Sequence, residues 1–284
     1  MKKSKIFILC ILLGITIGGL SNFLLNKRQA PTDKHTVYIG VHSTKSNSAS
    51  EEKYLFKQAL GYNPNLISIE ITWEAFFPKS WTRNSIKNKS IPIIRWSPLD
   101  NRSVEQFSFT TITEGLWDDY LKEWANEAKN FEYTLFINFA PGINSREYGW
   151  SILYDPNVAQ PYKEAFQYIV KLFKKEGAYN VLWIYESEVA HTINTNWIHP
   201  NLAYPGQEYV DWIAIRGENF GDSKIWSTWK NAEHLFGDSI DQIDLMAPET
   251  PIMLTGLKTV ENEKENAYTW YMNIPIFLES SLKR

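Results

Sequence analysis

Flat aromatic rings and carboxylates gather at or just past the ends of short apolar runs. Trp73 closes one run and Trp96 the next, Trp150 follows a third, and Trp183 and Tyr185 sit in a fourth. An indole offers a broad apolar face and one donor, which suits the C–H faces and hydroxyl rim of a sugar ring. Carbohydrate is therefore the ligand class these residues favour. The alternative is that tryptophans are large core residues, the better reading for Trp124, Trp212 and Trp270 on helical or mid-strand positions. The carboxylates in comparable places are Glu74, Asp100, Glu147, Glu186, Glu188 and Glu218. With the two-residue alternation of a strand, Glu186 and Glu188 point the same way, as do Arg216 and Glu218. Such groups can serve as acid and base, or simply form ion pairs and a solvated rim. The five histidines show no metal-ligand spacing, and the one cysteine, Cys10, lies in an N-terminal apolar stretch. No metal, cofactor, thiolate nucleophile or disulfide framework is expected.

The elements that must hold these residues alternate along the chain. Apolar runs at 37–41, 66–73, 91–96, 133–139, 181–185, 212–215 and 252–254 predict seven strands, and amphipathic stretches at 51–60, 116–129, 161–176, 226–236 and 263–282 predict helices between and after them. The runs are continuous rather than alternating, which implies parallel strands covered on both faces. The expected fold is α/β, a (β/α)8 TIM-barrel-like domain over 37–284, and in such barrels the loops after the strands carry the site. Only one helix follows the seventh run before Arg284, so the eighth strand is expected to be missing. A barrel short of one strand exposes two edges that could take a protein partner.

The first residues read differently. Lys2, Lys3 and Lys5 precede an uncharged stretch over 6–25, followed by Lys27 and Arg28. Residues 1–28 are expected to be a signal anchor, with the barrel on the outer (periplasmic or extracellular) side of the cytoplasmic membrane; a signal peptide cleaved near Gly18-Gly19 is the alternative. A short linker over 29–36 joins it to the barrel. Lys and Arg number 29 against 32 Asp and Glu, a formal charge of −3 with no basic block, which argues against nucleic acid as a partner.

Three segments resemble glycoside hydrolase family 26. Tyr204-Pro205-Gly206-Gln207-Glu208-Tyr209-Val210-Asp211-Trp212-Ile213-Ala214-Ile215 follows the family's entry into strand six; Val181-Leu182-Trp183 is similar to its strand-five core; and Leu116-Trp117-Asp118-Asp119-Tyr120 through Trp124-Ala125 is similar to the helix before strand four. The resemblance implies a barrel that acts on β-mannans or related β-glucans through two carboxyl groups about 5–5.5 Å apart, one protonating the leaving oxygen and one attacking the anomeric carbon. The family's acid/base stretch corresponds to Asn138-Phe139-Ala140-Pro141-Gly142-Ile143-Asn144 and then Trp150, which puts Gly142 at the glutamate position. Its nucleophile stretch corresponds to Thr250-Pro251-Ile252-Met253-Leu254-Thr255-Gly256, which puts Gly256 there. Glycine can neither donate a proton nor offer a charge.

The resemblance implies a protein of glycosidase ancestry without its catalytic pair, and the N-terminal stretch implies that it is membrane-tethered. It would bind an envelope or exported polysaccharide or oligosaccharide through Trp73, Trp96, Asn144, Trp150 and Tyr185. An active hydrolase with replacement carboxylates among Glu147, Glu186, Glu188 and Glu218 is the second expectation. An interaction protein in an envelope polysaccharide complex is the third.

Overall fold

The computed structural model describes residues 7–9, 38–43, 53, 54, 57, 64–98, 108–189, 199–225, 227–260 and 267–281. The seven expected strands form, all parallel: β2 Tyr38–Ser43, β3 Leu66–Thr72, β4 Ile91–Ser97, β5 Leu135–Phe139, β6 Val181–Glu188, β7 Trp212–Asn219 and β8 Ile252–Thr259. They curl in sequence order into a (β/α)8-like barrel. No strand follows β8 among the described residues, and the position between β8 and β2 is bridged from the other end of the chain by a three-residue strand, β1 Phe7–Leu9, parallel to both neighbours. The rest of the expected anchor and the 29–36 linker lie outside the described residues. No helix among the described residues is long and apolar enough to cross a membrane.

The helices are α1 Lys79–Lys87, α2 Thr110–Thr113, α3 Asp118–Phe131, α4 Ala159–Glu176, α5 Ala232–Met246 and α6 Ala267–Ser281. In α3, Asp118 and Asp119 complement the dipole at the first turn, while Leu121, Trp124, Ala125 and Ala128 recur at helical spacing and are buried. The sequence reading misses α1, whose buried face is Trp81, Thr82 and Ser85 rather than an apolar stripe. Thr82 and Ser85 satisfy their hydroxyls on backbone carbonyls within the helix, which lets polar residues occupy the inner face.

The strand pleat divides the core in two. Ile94 and Trp96 of β4, Ile137 and Phe139 of β5, and Trp183 and Tyr185 of β6 face outward and pack under the helices. The opposite parity points into the barrel, where Leu66, Ile91, Ile93, Phe136, Ile184, Trp212, Ala214 and Met253 form a separate apolar plug. The inward parity then continues through Glu70, Arg95, Asn138, Glu186, Arg216 and Thr255, a polar layer on the C-terminal side of the plug. Strands β6, β7 and β8 run several residues past their predicted ends. Their last inward residues are polar, and mutual pairing inside the barrel lets the ladder continue where hydropathy falls.

Candidate functional site

A cavity of about 440 Å³ opens above the plug at the C-terminal ends of the strands, within the size range of small-ligand sites. Its centre is the polar layer. Arg95 on β4 meets Glu186 on β6 through two hydrogen bonds, of 2.6 and 3.1 Å. Asn138 donates to the same carboxylate at 3.0 Å and Thr255 at 3.1 Å. Burial opposes the charge on Glu186, but the Arg95 charge and hydrogen bonds, helped by Arg216 and Thr255, outweigh it and hold the carboxyl below its ordinary range. Burial likewise works against the Arg95 cation, and Glu186 overrides it, so the guanidinium stays charged.

Arg216 on β7 forms the second cluster. One guanidinium nitrogen, Nη2, donates to Glu147 at 2.5 Å and to Glu218 at 2.9 Å, so both carboxylates lie within hydrogen-bond reach of the same atom. Lys258 on β8 also reaches Glu218, at 3.1 Å. Tyr148 joins the two clusters: its hydroxyl accepts from Arg95 at 3.0 Å and from Arg216 at 3.2 Å. Burial pushes the Tyr148 phenol up against the pull of the two cations, which keeps it protonated.

The loop after β5 places Tyr148 there. Trp150 donates to the Pro141 carbonyl at 3.2 Å and stacks its ring on Tyr148 at 4.5 Å. Asn144 clamps the loop to the end of β6, accepting from the Glu188 N–H at 2.7 Å and donating to the Glu188 carbonyl at 3.2 Å. Gly142 and Gly256 both have left-handed backbone, φ +66° and +61°. A β-carbon on Gly142 would lie 2.7 Å from the Tyr148 ring, and one on Gly256 would lie 2.6 Å from Arg216 Cγ. The space a side chain would need at each glycine is thus taken by Tyr148 at one and Arg216 at the other.

The other candidate residues are distributed unevenly. Trp73, Trp96 and Tyr185 are 2% exposed or less and do not line the cavity. Trp73 stacks on Trp96 at 4.8 Å, Trp96 on Trp124 at 4.1 Å, and the Tyr185 hydroxyl donates to the Pro200 carbonyl. Trp96 and Tyr185 face the helices because each neighbours an inward-pointing charge, Arg95 and Glu186, and adjacent strand residues face opposite ways. Trp150 and Asn144 shape the loop from within. Among the replacement carboxylates, Glu147 and Glu218 converge on Arg216, Glu186 is committed to Arg95, and Glu188 takes part through its backbone. Tyr148 and His42 are the aromatic rings among the described residues that line the cavity. No group of three potential metal ligands occurs among the described residues.

The sequence reading did not single out Arg95, Tyr148, Glu70 or Lys258. Two of them carried a signal. Arg95 lies in Ile91-Pro92-Ile93-Ile94-Arg95-Trp96 and Glu70 in Leu66-Ile67-Ser68-Ile69-Glu70-Ile71, each in phase with inward residues of a strand buried on both faces. A charge there must have partners or a function.

The chain is similar to endoglucanase H of Acetivibrio thermocellus, with 26% identity over 91% of this chain; it spans 28% of that relative's length. No family model matches it. Among solved structures, it is similar to a β-mannanase from a symbiotic protist of the termite Reticulitermes speratus, complexed with gluco-manno-oligosaccharide (TM-score 0.58, 14% identity, 86% of each chain covered). It is also similar to the family 26 domain of an endo-β-mannanase/endo-β-glucanase from Prevotella bryantii (TM-score 0.59, 10% identity, 84% of this chain and 88% of that one). The barrel thus has the glycoside hydrolase family 26 fold.

Proposed function

We propose that this chain is a membrane-anchored, catalytically inactive protein of glycoside hydrolase ancestry that binds an envelope or exported β-glycan in the cavity at the barrel mouth. The anchor reading rests on the basic residues flanking the uncharged stretch at 6–25 and would put the barrel on the outer side of the membrane; it competes for that stretch with the pairing of Phe7–Leu9 between β8 and β2, since a strand in the barrel wall cannot also lie in a bilayer. One observation supports the inactivity: Gly142 and Gly256, which the motif resemblance puts at the family's two glutamate positions, are closed against side chains by Tyr148 and Arg216. A protonated phenol and a paired guanidinium stand beside those positions, and neither supplies an attacking carboxylate. The glycan reading draws on the similarity to a mannanase and an endoglucanase and on a cavity rich in hydrogen-bonding groups.

The test is reducing-end release by the full chain in detergent on β-mannans, β-glucans and xylans, together with retention in gels cast with the same polymers. Folding is verified by circular dichroism. Retention without turnover above a heat-treated control is the expected result, and absence of both overturns the reading. Sustained turnover would favour a second reading, an active hydrolase, in which Glu147 and Glu218 are the replacement pair because they share one nitrogen of Arg216. Activity would then be lost on Glu147→Gln and on Glu218→Gln.

A further inference from the structure

The charges around the cavity are not evenly matched. Among the described residues, each lysine or arginine lining it has a carboxylate partner: Arg95 has Glu186, Arg216 has Glu147 and Glu218, and Lys258 has Glu218. An anionic ligand would have to displace one of these carboxylates. Glu70 differs: it lines the cavity, is exposed to it, and forms no ion pair with any of the described residues. A second group asks for a donor independently. Asn138 is 1% exposed and also lines the cavity, and its Oδ1 has no hydrogen-bond partner. The orientation of that amide is fixed, because its Nδ2 must face the Glu186 carboxylate; turning it over would set oxygen against oxygen.

Glu70 and Asn138 lie in register on the strands either side of Arg95. A ring lying over Arg95 therefore has a carboxylate on one side and, on the other, the Asn138 amide, whose Oδ1 is buried and unpaired. Among the described residues the lining is largely polar and charged, with Tyr148 and His42 as its rings, which favours recognition through polar and charged contacts.

We propose that the cavity selects a saccharide carrying a free amine, a 2-amino-2-deoxyhexose unit, whose ammonium group pairs with Glu70 while a further donor of the same ring reaches Asn138 Oδ1. This rests on the glycan-binding reading above and names its substrate class. Glu70 feels the Arg95 charge across the strand pair but has no cation in contact among the described residues, and an ammonium supplies one together with hydrogen-bond donors and no acceptor. Acetylation of the amine removes the charge and leaves an acyl group to be fitted beside a carboxylate.

Calorimetric titration of the full chain with three β-1,4-linked tetrasaccharides, of glucose, N-acetylglucosamine and glucosamine, tests this at about pH 6, where the free sugar amine is protonated. The three differ only at C2. The expected result is binding of the glucosamine tetramer at least about tenfold tighter than either other ligand, with the preference abolished in Glu70→Gln and retained in Glu70→Asp. Glu123→Gln, on an exposed helix face, should leave it intact and so controls for attraction of a cation to an acidic protein. Equal affinities, a preference for the acetylated ligand, or a preference that survives Glu70→Gln overturns the inference while glycan binding stands. Failure of all three ligands, together with failure of retention on β-mannan and β-glucan, overturns both.

Discussion

Arg216 lies across Gly256 so closely that a β-carbon on the glycine would sit 2.6 Å from Arg216 Cγ and 3.2 Å from its Nε. The backbone of Gly256 is also left-handed, at φ +61°. Strain and overlap act together here, and the far side of the guanidinium is tied to Glu147, Glu218 and Tyr148. Gly256→Ala should destabilise the barrel by about 2–4 kcal/mol, read as a lower urea midpoint with unchanged slope. Gly256→Glu should cost at least as much and produce no turnover of β-mannan or β-glucan, because the new carboxylate would meet the Arg216 side chain. A Gly256→Ala protein as stable as the parent would show that Arg216 moves freely.

Gly142 faces a ring rather than a flexible side chain. Tyr148 is held by its stack on Trp150 and by two guanidinium donors, so Gly142→Ala should also destabilise by about 2–4 kcal/mol. Combining Gly142→Ala with Tyr148→Ala should cost less than the sum of the two single changes, since removing the ring removes the clash. Strict additivity in this double-mutant cycle would refute the contact.

The Tyr148 hydroxyl joins the two arginine clusters. Tyr148→Phe keeps the stack on Trp150 but strands two charged donors, and should cost about 1–3 kcal/mol in urea unfolding. A loss below about 0.5 kcal/mol would mean that water replaces the hydroxyl at no penalty.

The buried pair of Arg95 and Glu186 sets an acid limb. The carboxyl of Glu186 is held below its ordinary value of 4.5, so this contribution is fully present above that pH and is lost as pH falls through the lower, folded-state value. Arg95→Met removes the largest force holding the proton off, and burial then favours the protonated acid. Wild-type protein should lose stability on acidification from neutral pH to about pH 3. Arg95→Met should be less stable by about 3–5 kcal/mol at neutral pH and should lose less on the same acidification. Parallel pH profiles for the two proteins would disprove the coupling.

Trp96 serves the core. Its ring lies between Trp73 and Trp124 under α3, away from the cavity. Trp96→Phe should lower the thermal midpoint while leaving glycan retention by the folded protein unchanged. Weakened retention at temperatures where the variant is fully folded would return Trp96 to the site.

The barrel and its strand order were legible in the sequence because parallel strands covered on both faces must be apolar for most of their length, and seven such runs separated by helical patterns leave few alternatives. The placing of Gly142 and Gly256 at the family's glutamate positions rests on their flanking motifs alone. The assignment of Trp73, Trp96 and Tyr185 to a sugar wall was not decided by residue type, since an aromatic ring suits a core and a ligand equally well. Pleat parity decided it for Trp96 and Tyr185, and parity becomes readable only once Arg95 and Glu186 are known to point inward. Tertiary structure alone showed that Tyr148 and Arg216, from a loop and a neighbouring strand, occupy the spaces left at Gly142 and Gly256. It also showed that Phe7–Leu9 spans the gap between β8 and β2. Such contacts join residues tens to hundreds of positions apart, and what fixes them is the closing of the strands into a ring, which no local pattern records.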